Sequence, residues 1–336
     1  MQETGTIVVA ADVGGTNTRL GLFRVVADGP EPLRRSAMES DPTRAFGELL
    51  DAFLVEAGRP RIAAGCCAVA GPVVDGRASM TNHPWVIDAE DLGTALGGAR
   101  TLVVNDVQAA AAAVLHLPAD RLHRLAAGHP NPLGANVAVL APGTGLGCAA
   151  LCFDGTRHHL VASEGGHADF APQDEEQVAL WRHLATQHGH VSYERIASGP
   201  GLVAVYEYLR EAGRARERAI VRERLSRDHV DAAAVVSHAA LAGDPLAAAA
   251  LDLFVRVLGA KAGNLALEVM ALGGVYLAGG IPPKILPTLD EGGFMTAFLA
   301  KGRHRDLLER VPVHVALDPA APLLGAARLA AALAAP

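Results

Sequence analysis

At about 150 residues per domain, the 336-residue chain has the length for two domains, and it buries roughly three quarters of its unfolded surface. Hydrophobic residues at 50% against charged residues at 19% exclude a disordered chain, and aromatics at 4% leave Ala, Val and Leu to supply most of the core. With 29 basic and 36 acidic residues the net charge is −7, which gives no overall attraction to nucleic acid or to an anionic membrane surface.

Cys66 and Cys67 are adjacent, and Cys148 and Cys152 sit in an apolar run at a spacing unlike a zinc knuckle, so the four cysteines form no disulfide framework. A reducing cytoplasm is the expectation. The start, Met1-Gln2-Glu3-Thr4, lacks the positive charge of a signal peptide, and the apolar run that follows is stopped by Asp12. Leu125 to Phe153 is long and uncharged, but Pro130, Pro132, Pro142 and several glycines suit strands and turns rather than a spanning helix.

In chain order, Ile7 to Phe23 reads as a β-hairpin with Asp12-Val-Gly-Gly-Thr-Asn17 at its tip. Pro42 to Gly58 has helical spacing, and Ile62 to Val69 resembles a strand. Thr101 to Asn105 is a β-branched run that ends in Asn105-Asp106, followed at once by an alanine-rich helix. Ligands of open α/β sheets sit at the carboxyl ends of strands, which places Asn105 and Asp106 well. The hairpin grammar recurs at Val137 to Cys152 around Pro142-Gly-Thr-Gly145, so a duplicated architecture with one half per domain is expected. From Asp174 onward the chain reads as mostly helical. Arg214 to Asp228, with mixed charges, reads as the solvated face of an amphipathic helix, and Asp244-Pro245 as the cap and first turn of a helix reaching about Met270. Gly259 and Gly263, one turn apart, point to close packing against another element. Val275 to Ala278 reads as a strand ending in Gly279-Gly280, and Leu323 to Ala334 as a terminal helix. Alternating strands and helices give an α/β class.

Gly-Gly-Thr turns expose backbone N–H groups and let a phosphate approach without a clashing side chain. One such loop is weak evidence, since tight turns look alike; two strengthen it. Gly14, Gly15, Thr16 and Asn17 form the first, and Gly143, Thr144 and Gly145 the second. Gly279 and Gly280 offer backbone against which a base or ribose can press. Asp12 adds a carboxylate able to hold Mg²⁺ directly or through water. A P-loop is excluded, because Ala262, Ile285 and Gly302 follow the three lysines where Ser or Thr is required. A dinucleotide fold fails as well, since Gly14-Gly15 starts no clear helix and has no acidic partner about 20 residues on at the end of a second expected strand.

A second constellation is polar: Asn105-Asp106, Ser163-Glu164-Gly-Gly-His167 and Tyr193-Glu194-Arg195. Carboxylates, an amide and an imidazole suit a neutral polyhydroxylated ligand. Each has a plainer alternative: Glu164 a solvated loop residue, His167 a satisfied buried histidine or a metal ligand, Glu194 an ion pair with Arg195, Asp106 the N-cap of the following helix, Trp85 a core residue instead of a cleft lip.

Together these residues resemble the bacterial glucokinases of the actin, sugar-kinase and heat-shock ATPase superfamily. The match runs in order through Asp12 to Asn17 with Arg19, Met80-Thr-Asn-His-Pro-Trp85, Asn105-Asp106, Pro142 to Gly147, Glu164 to His167 with Asp169-Phe-Ala-Pro172, Glu194, Ser198-Gly-Pro-Gly-Leu202, Gly263-Asn-Leu-Ala-Leu267 and Ala278-Gly-Gly280. The resemblance implies a two-domain actin-like (ribonuclease H-like) ATPase fold with a central cleft, residues 1–116 plus 318–336 forming the smaller domain and 117–317 the larger. It implies Asp106 as the base toward the glucose 6-hydroxyl, and Asn105, Glu164, His167 and Glu194 at glucose hydroxyls. Asp12 matches the acid near Mg²⁺, and ATP is the expected donor. The cysteine-rich zinc motif of a sister group of repressors and kinases is absent. Ala141 departs from the glycine many members carry, and leaves the loop glycines intact. The expected product is glucose 6-phosphate, from a homodimer with no nucleic-acid or membrane partner.

The alternatives are a broader hexokinase or a kinase of another sugar, with ADP or polyphosphate as donor. A non-sugar kinase would not need Glu164, His167 and Glu194. A repressor would need a DNA-binding module before the first loop, and a scaffold or chaperone ATPase would hydrolyse ATP without sugar.

Overall fold

The computed structural model describes residues 5–80, 83–129 and 134–335, and the chain divides into two units, 1–117 with 318–336 and 118–317. Thr81 and Asn82 of the Met80 to Trp85 motif, and Pro130 and Pro132, lie outside the described residues.

In the first unit, β1 (Ile7–Val13) and β4 (Ala64–Val69) are apolar on both faces, apart from Asp12, as central strands covered on both sides must be. β2 (Asn17–Val26) pairs antiparallel with β1, and β3 (Gly29–Glu39) closes that edge. Pro30, Pro32, Arg34 and Arg35 make β3 a poor template for a further strand. β8 (Arg100–Asn105) lies parallel to β4 on the other side, giving the order β3-β2-β1-β4-β8. A small antiparallel sheet is formed by β5 (Val73–Val74), β6 (Arg77–Ser79) and β7 (Val86–Asp88). The helices are α1 (Phe46–Glu56), α2 (Ala89–Ala95), α3 (Asp106–Val114) and the C-terminal helix Ala321–Ala334. A β-carbon on Gly325 would lie 1.6 Å from the Ala109 carbonyl oxygen, so the C-terminal helix and α3 cross almost backbone to backbone. Small side chains do here what aromatic bulk does elsewhere. Trp85 belongs to a separate buried cluster with α1, α2 and the other face of β1, and its indole N–H donates to the Arg44 carbonyl at 2.6 Å.

The second unit repeats the plan. β10 (Val137–Pro142) and β11 (Leu146–Phe153) form a hairpin, β12 (His158–Ser163) closes the edge, and β13 (Gly274–Leu277) and β14 (Val313–Ala316) lie parallel beyond β10. β9 (Leu122–Ala126) adds an antiparallel strand, and the order is β12-β11-β10-β13-β14-β9. The first five strands reproduce the first unit's sheet in order and direction. The described residues of Leu125 to Phe153 lie in β9, β10, β11 and their connections, and among the described residues no helix is long and apolar enough to cross a membrane.

Helices α4 (Glu175–His188), α5 (Gly199–Glu211), α6 (Ala219–Leu225), α7 (Ala232–Leu241), α8 (Pro245–Glu268), α9 (Leu286–Asp290), α10 (Gly293–Leu299) and α11 (Arg305–Leu308) complete this unit. Asp244 caps α8 through Ala247 N–H. Gly259 and Gly263 face α10: β-carbons there would fall 2.2 and 2.5 Å from the carbonyl oxygens of Phe294 and Phe298. The helix expected over Arg214 to Asp228 shrinks to α6, which buries Val221 alone. The residue before it, Arg218, is extended, and Glu217 accepts from Tyr206 OH and Arg222 Nε.

Candidate active site

β1, β4 and β8 run parallel in register, with Val13 beside Val69 and Val69 beside Asn105. Their carboxyl ends therefore form one edge of the sheet, and that edge carries the first hairpin tip, Gly71 and Asn105-Asp106. Asp12 and Arg19 are direct cross-strand partners, and Arg19 donates to Asp12 Oδ2 at 2.8 Å. Asp12 is buried, and burial raises its carboxyl above the ordinary carboxylate range against the opposing pull of Arg19. The tip closes through Gly14 N–H to the Asn17 carbonyl at 2.9 Å, leaving Gly15, Thr16 and Asn17 exposed. Ser40, at the end of β3, fixes it: its hydroxyl donates to the Gly14 carbonyl at 2.7 Å and its N–H to that of Thr16 at 2.9 Å.

Asn105, not Asp106, is the N-cap of α3. Its Oδ1 accepts from Val107 N–H at 2.9 Å, its own N–H donates to Gln108 Oε1, and its Nδ2 donates to the Gly71 carbonyl at 3.0 Å. This capping box frees Asp106, the first helical residue, from the capping role the sequence left open. Asp106 is half-buried, and its Oδ1 accepts from Val107 N–H at 2.9 Å. Burial, helped by the charge of Asp12, pushes its carboxyl up from 3.8 to about 6. A carboxylate at that value is ionised at neutral pH yet basic enough to take a proton from an alcohol in a transition state.

In the second unit the corresponding edge gathers the second tip, Gly279-Gly280 and two one-turn 3₁₀ helices, Gly165–His167 and Tyr193–Arg195. Gly143 N–H closes the tip onto the Gly145 carbonyl at 2.8 Å, and Gly199 N–H at the start of α5 donates to the Gly143 carbonyl at 2.8 Å. A side chain on Gly143 or Gly280 would meet nothing within 4 Å, so both present bare backbone. Gly279 has φ +82°, and a β-carbon there would lie 2.8 Å from the Pro142 carbonyl oxygen, which requires glycine.

Glu194 sits beneath this tip. Its Oε2 accepts Leu146 N–H at 2.8 Å, and its Oε1 lies 3.6 Å from His167 Nε2. A β-carbon on Gly145 would collide with the same carboxylate, and one on Gly166 would fall 1.8 Å from the Leu146 carbonyl oxygen. The two glycines thus let both turns close on the strand. Glu164 and His167 are exposed, joined by His167 N–H to the Glu164 carbonyl at 2.9 Å. Among the described residues Glu194 forms no ion pair with Arg195, and His167 is not buried.

Each unit therefore joins a glycine tip to part of the polar constellation: Asn105 and Asp106 in the first, whose tip also carries Asp12, and Glu164, His167 and Glu194 in the second. Sequence reasoning gave no role to Ser40, or to Ser198, whose hydroxyl donates to the Glu194 carbonyl at 2.7 Å and caps Gly201 N–H. Ser198-Gly-Pro-Gly was a legible cap signal for α5; Ser40 had none.

Two sheets of the same strand order, each carrying a glycine hairpin tip, define an actin-like ATPase fold, and its relatives place the chain among sugar phosphotransferases with an alcohol acceptor. The family model described as Glucokinase matches residues 9–333. A curated glucokinase of Nostoc punctiforme is 38% identical over 98% of this chain and 100% of its own length. The chain belongs to the glucokinase family. The crystal structure of a glucokinase from an Antarctic psychrotroph, 30% identical, superposes with a TM-score of 0.83 over 96% of this chain and 98% of that one. A glucokinase of the repressor and open-reading-frame kinase group from Streptomyces griseus, solved with glucose and AMPPNP, matches in fold at 23% identity, with a TM-score of 0.62 over 96% and 99% of the two chains.

Proposed function

We propose that the protein transfers the γ-phosphoryl group of ATP to the 6-hydroxyl of D-glucose, giving glucose 6-phosphate and ADP. The observation that carries this reading is Asp106: a carboxyl raised to about 6, released from capping by Asn105, at the strand end beside a charged glycine tip. In this mechanism Asp106 takes the proton of the attacking 6-hydroxyl as the oxygen–phosphorus bond forms. Asn105, Glu164, His167 and Glu194 accept and donate to the remaining hydroxyls; the amide of Asn105, already bonded to Gly71 and Val107, has one hydrogen left for this. Gly14 to Asn17, Gly143 to Gly145 and Gly279-Gly280 give backbone N–H groups and bare surface for the nucleotide.

The residues fit Mg²⁺ in the manner of nucleotide kinases, where one or two carboxylates and the phosphates hold it. Asp12 is such a carboxylate, with Oδ2 fixed by Arg19, and its charge already acts on Asp106. Among the described residues no group of three or more His, Cys, Asp or Glu side chains is placed to hold a metal ion. Bound there, Mg²⁺ supplies charge neutralisation for the phosphates.

The reading extends to a homodimer acting in glycolysis in the cytoplasm, where the four free cysteines would stay reduced. The test is a coupled assay of glucose, mannose, fructose, galactose and N-acetylglucosamine against ATP, ADP and polyphosphate, with Mg²⁺ or EDTA. Glucose with ATP and Mg²⁺ is expected to be fastest. No glucose phosphate with any donor, or product formed in EDTA, overturns the reading; light scattering reads the dimer.

A further inference from the structure

Of the chain's three lysines, Lys261 on α8 is only 2% exposed. A buried ammonium without a counterion is costly unless it serves something nearby. Among the described residues Lys261 has no ion pair; its Nζ lies over the Tyr193 ring, 5.3 Å from the centroid. Tyr193 opens the turn that carries Glu194, and its hydroxyl accepts from Asn264 Nδ2 at 2.8 Å, one turn along α8 from Lys261. On its other side the ammonium backs the turn that carries Glu164 and His167: a β-carbon on Gly165 would lie 3.6 Å from Lys261 Nζ. One buried cation thus underlies both acidic turns.

Cys148 on β11, packed at the same spot, senses these charges together. Lys261 pulls its thiol down while Glu268, Glu164 and Glu194 push it up, and burial, the largest effect, leaves it at about 11. Cys148, Tyr193, Glu164, Glu194 and Glu268 are thus the titratable groups that meet the ammonium or share its effect on this thiol.

We propose that Lys261 is a specificity-determining positioning residue, whose buried charge offsets Glu164 and Glu194 and sets the sugar site for a neutral polyol against a cationic one. The proposal rests on the reading of Glu164 and Glu194 as sugar acceptors. Two carboxylates without a counter-charge would attract an aminosugar ammonium as readily as a hydroxyl. With the cation beneath them they keep their hydrogen-bonding capacity while their net field shrinks. No contact between Lys261 and sugar is needed.

The experiment compares glucose with glucosamine, whose 2-ammonium is cationic at pH 7, in wild type, Lys261→Met and Lys261→Arg, with kcat, KM and calorimetric binding measured for each. Wild type should prefer glucose by at least about tenfold in KM. Lys261→Met should raise the glucose KM about fivefold, leave kcat within twofold, leave the ATP KM unchanged, and lower the glucosamine KM, so that the preference shrinks about tenfold. Lys261→Arg should restore the preference, because it restores the charge. A structural role alone would shift both sugars alike and would not be rescued by charge. Lys261→Gln carries the same expectation if the methionine variant does not fold. An unchanged preference in a folded uncharged variant, or a wild type that binds both sugars equally, overturns the proposal. A wild type that phosphorylates no sugar overturns the functional reading itself, which is a different result.

Discussion

The two hairpins share a strand order but not a chemistry. Asp12 and Arg19 face each other across the first, and the residues in the same places relative to the tip of the second are Ala141 and Gly147, also direct partners. The first tip is charged and fastened by a side-chain hydroxyl, Ser40; the second is bare backbone, fastened by the main chain of Gly199 and by Glu194 reaching Leu146 N–H. A repeated sheet thus supplies two phosphate-sized turns, and the side chains just outside each turn divide the work. Under the proposed function, charge, metal and base would fall to the first, and backbone donors and polyol acceptors to the second.

Asp106→Asn should break the first side of this division with the largest effect. Loss of the base should lower kcat by about 10²–10⁴-fold while the glucose KM changes far less, because an amide still bonds a hydroxyl. Since Asn105 keeps the cap, stability should hold. The raised carboxyl even gives the stability effect a sign: a folded value near 6 against 3.8 means the ionised group is disfavoured in the fold. That penalty is absent below about pH 4 and fully developed above about pH 6, so the melting temperature of Asp106→Asn should gain on wild type as the pH rises through this window. In wild type kcat/KM should climb through about pH 6 as the base ionises. A folded Asp106→Asn protein with near-normal kcat would move the base elsewhere.

Next in size is Asp12→Asn. It should lower turnover about 10–100-fold and raise the Mg²⁺ concentration needed, with glucose binding nearly intact. Equal activity at every Mg²⁺ level would leave the Asp12–Arg19 pair a structural cross-strand pair. On the second hairpin, Glu194→Gln should do the reverse: a rise in glucose KM of about tenfold, from the loss of a charged acceptor, with the ATP KM little changed. If both substitutions weakened the same substrate, the division between the hairpins would fail.

What the sequence made legible is what lies close along the chain. Both tips, the strand ending at Asn105-Asp106, and the Asp244 cap are encoded by neighbours, and Asp12 and Arg19 meet because a hairpin's register brings residues seven apart face to face. The choice between Asn105 and Asp106 as cap was not legible, since either residue caps well. It was settled by Gln108 and by Gly71, 34 residues away. Glu194 reaches Leu146 across 48 residues, and Ser40 reaches Gly14 across 26; neither spacing has a periodic signature. Lys261 sits in a continuous apolar helix pattern, where a lysine reads as an exception and nothing local says which turns lie above it.

The smallest effect sharpens the comparison most, because it concerns only how the first tip is fastened. Ser40→Ala removes the bond to the Gly14 carbonyl and leaves the hydroxyl of Thr18, fully buried and 2.9 Å from Ser40 Oγ, without that partner. The backbone bond from residue 40 to the Thr16 carbonyl survives in alanine. The expected cost is about 1–3 kcal/mol of stability, the range for an unsatisfied buried hydroxyl, seen as a melting temperature lower by a few degrees. Since the loosened part is the tip and not Asp106, the ATP KM should rise about two- to fivefold with the glucose KM unchanged. At the second tip the corresponding carbonyl, Gly143, is held by the main-chain N–H of Gly199 and not by a side-chain hydroxyl. If Ser40→Ala left both the melting temperature and the ATP KM at wild-type values, the Gly14 N–H to Asn17 carbonyl bond would be sufficient to hold the first tip. The two hairpins would then differ in charge and in the support Glu194 gives the second, with no side-chain hydroxyl needed at the first.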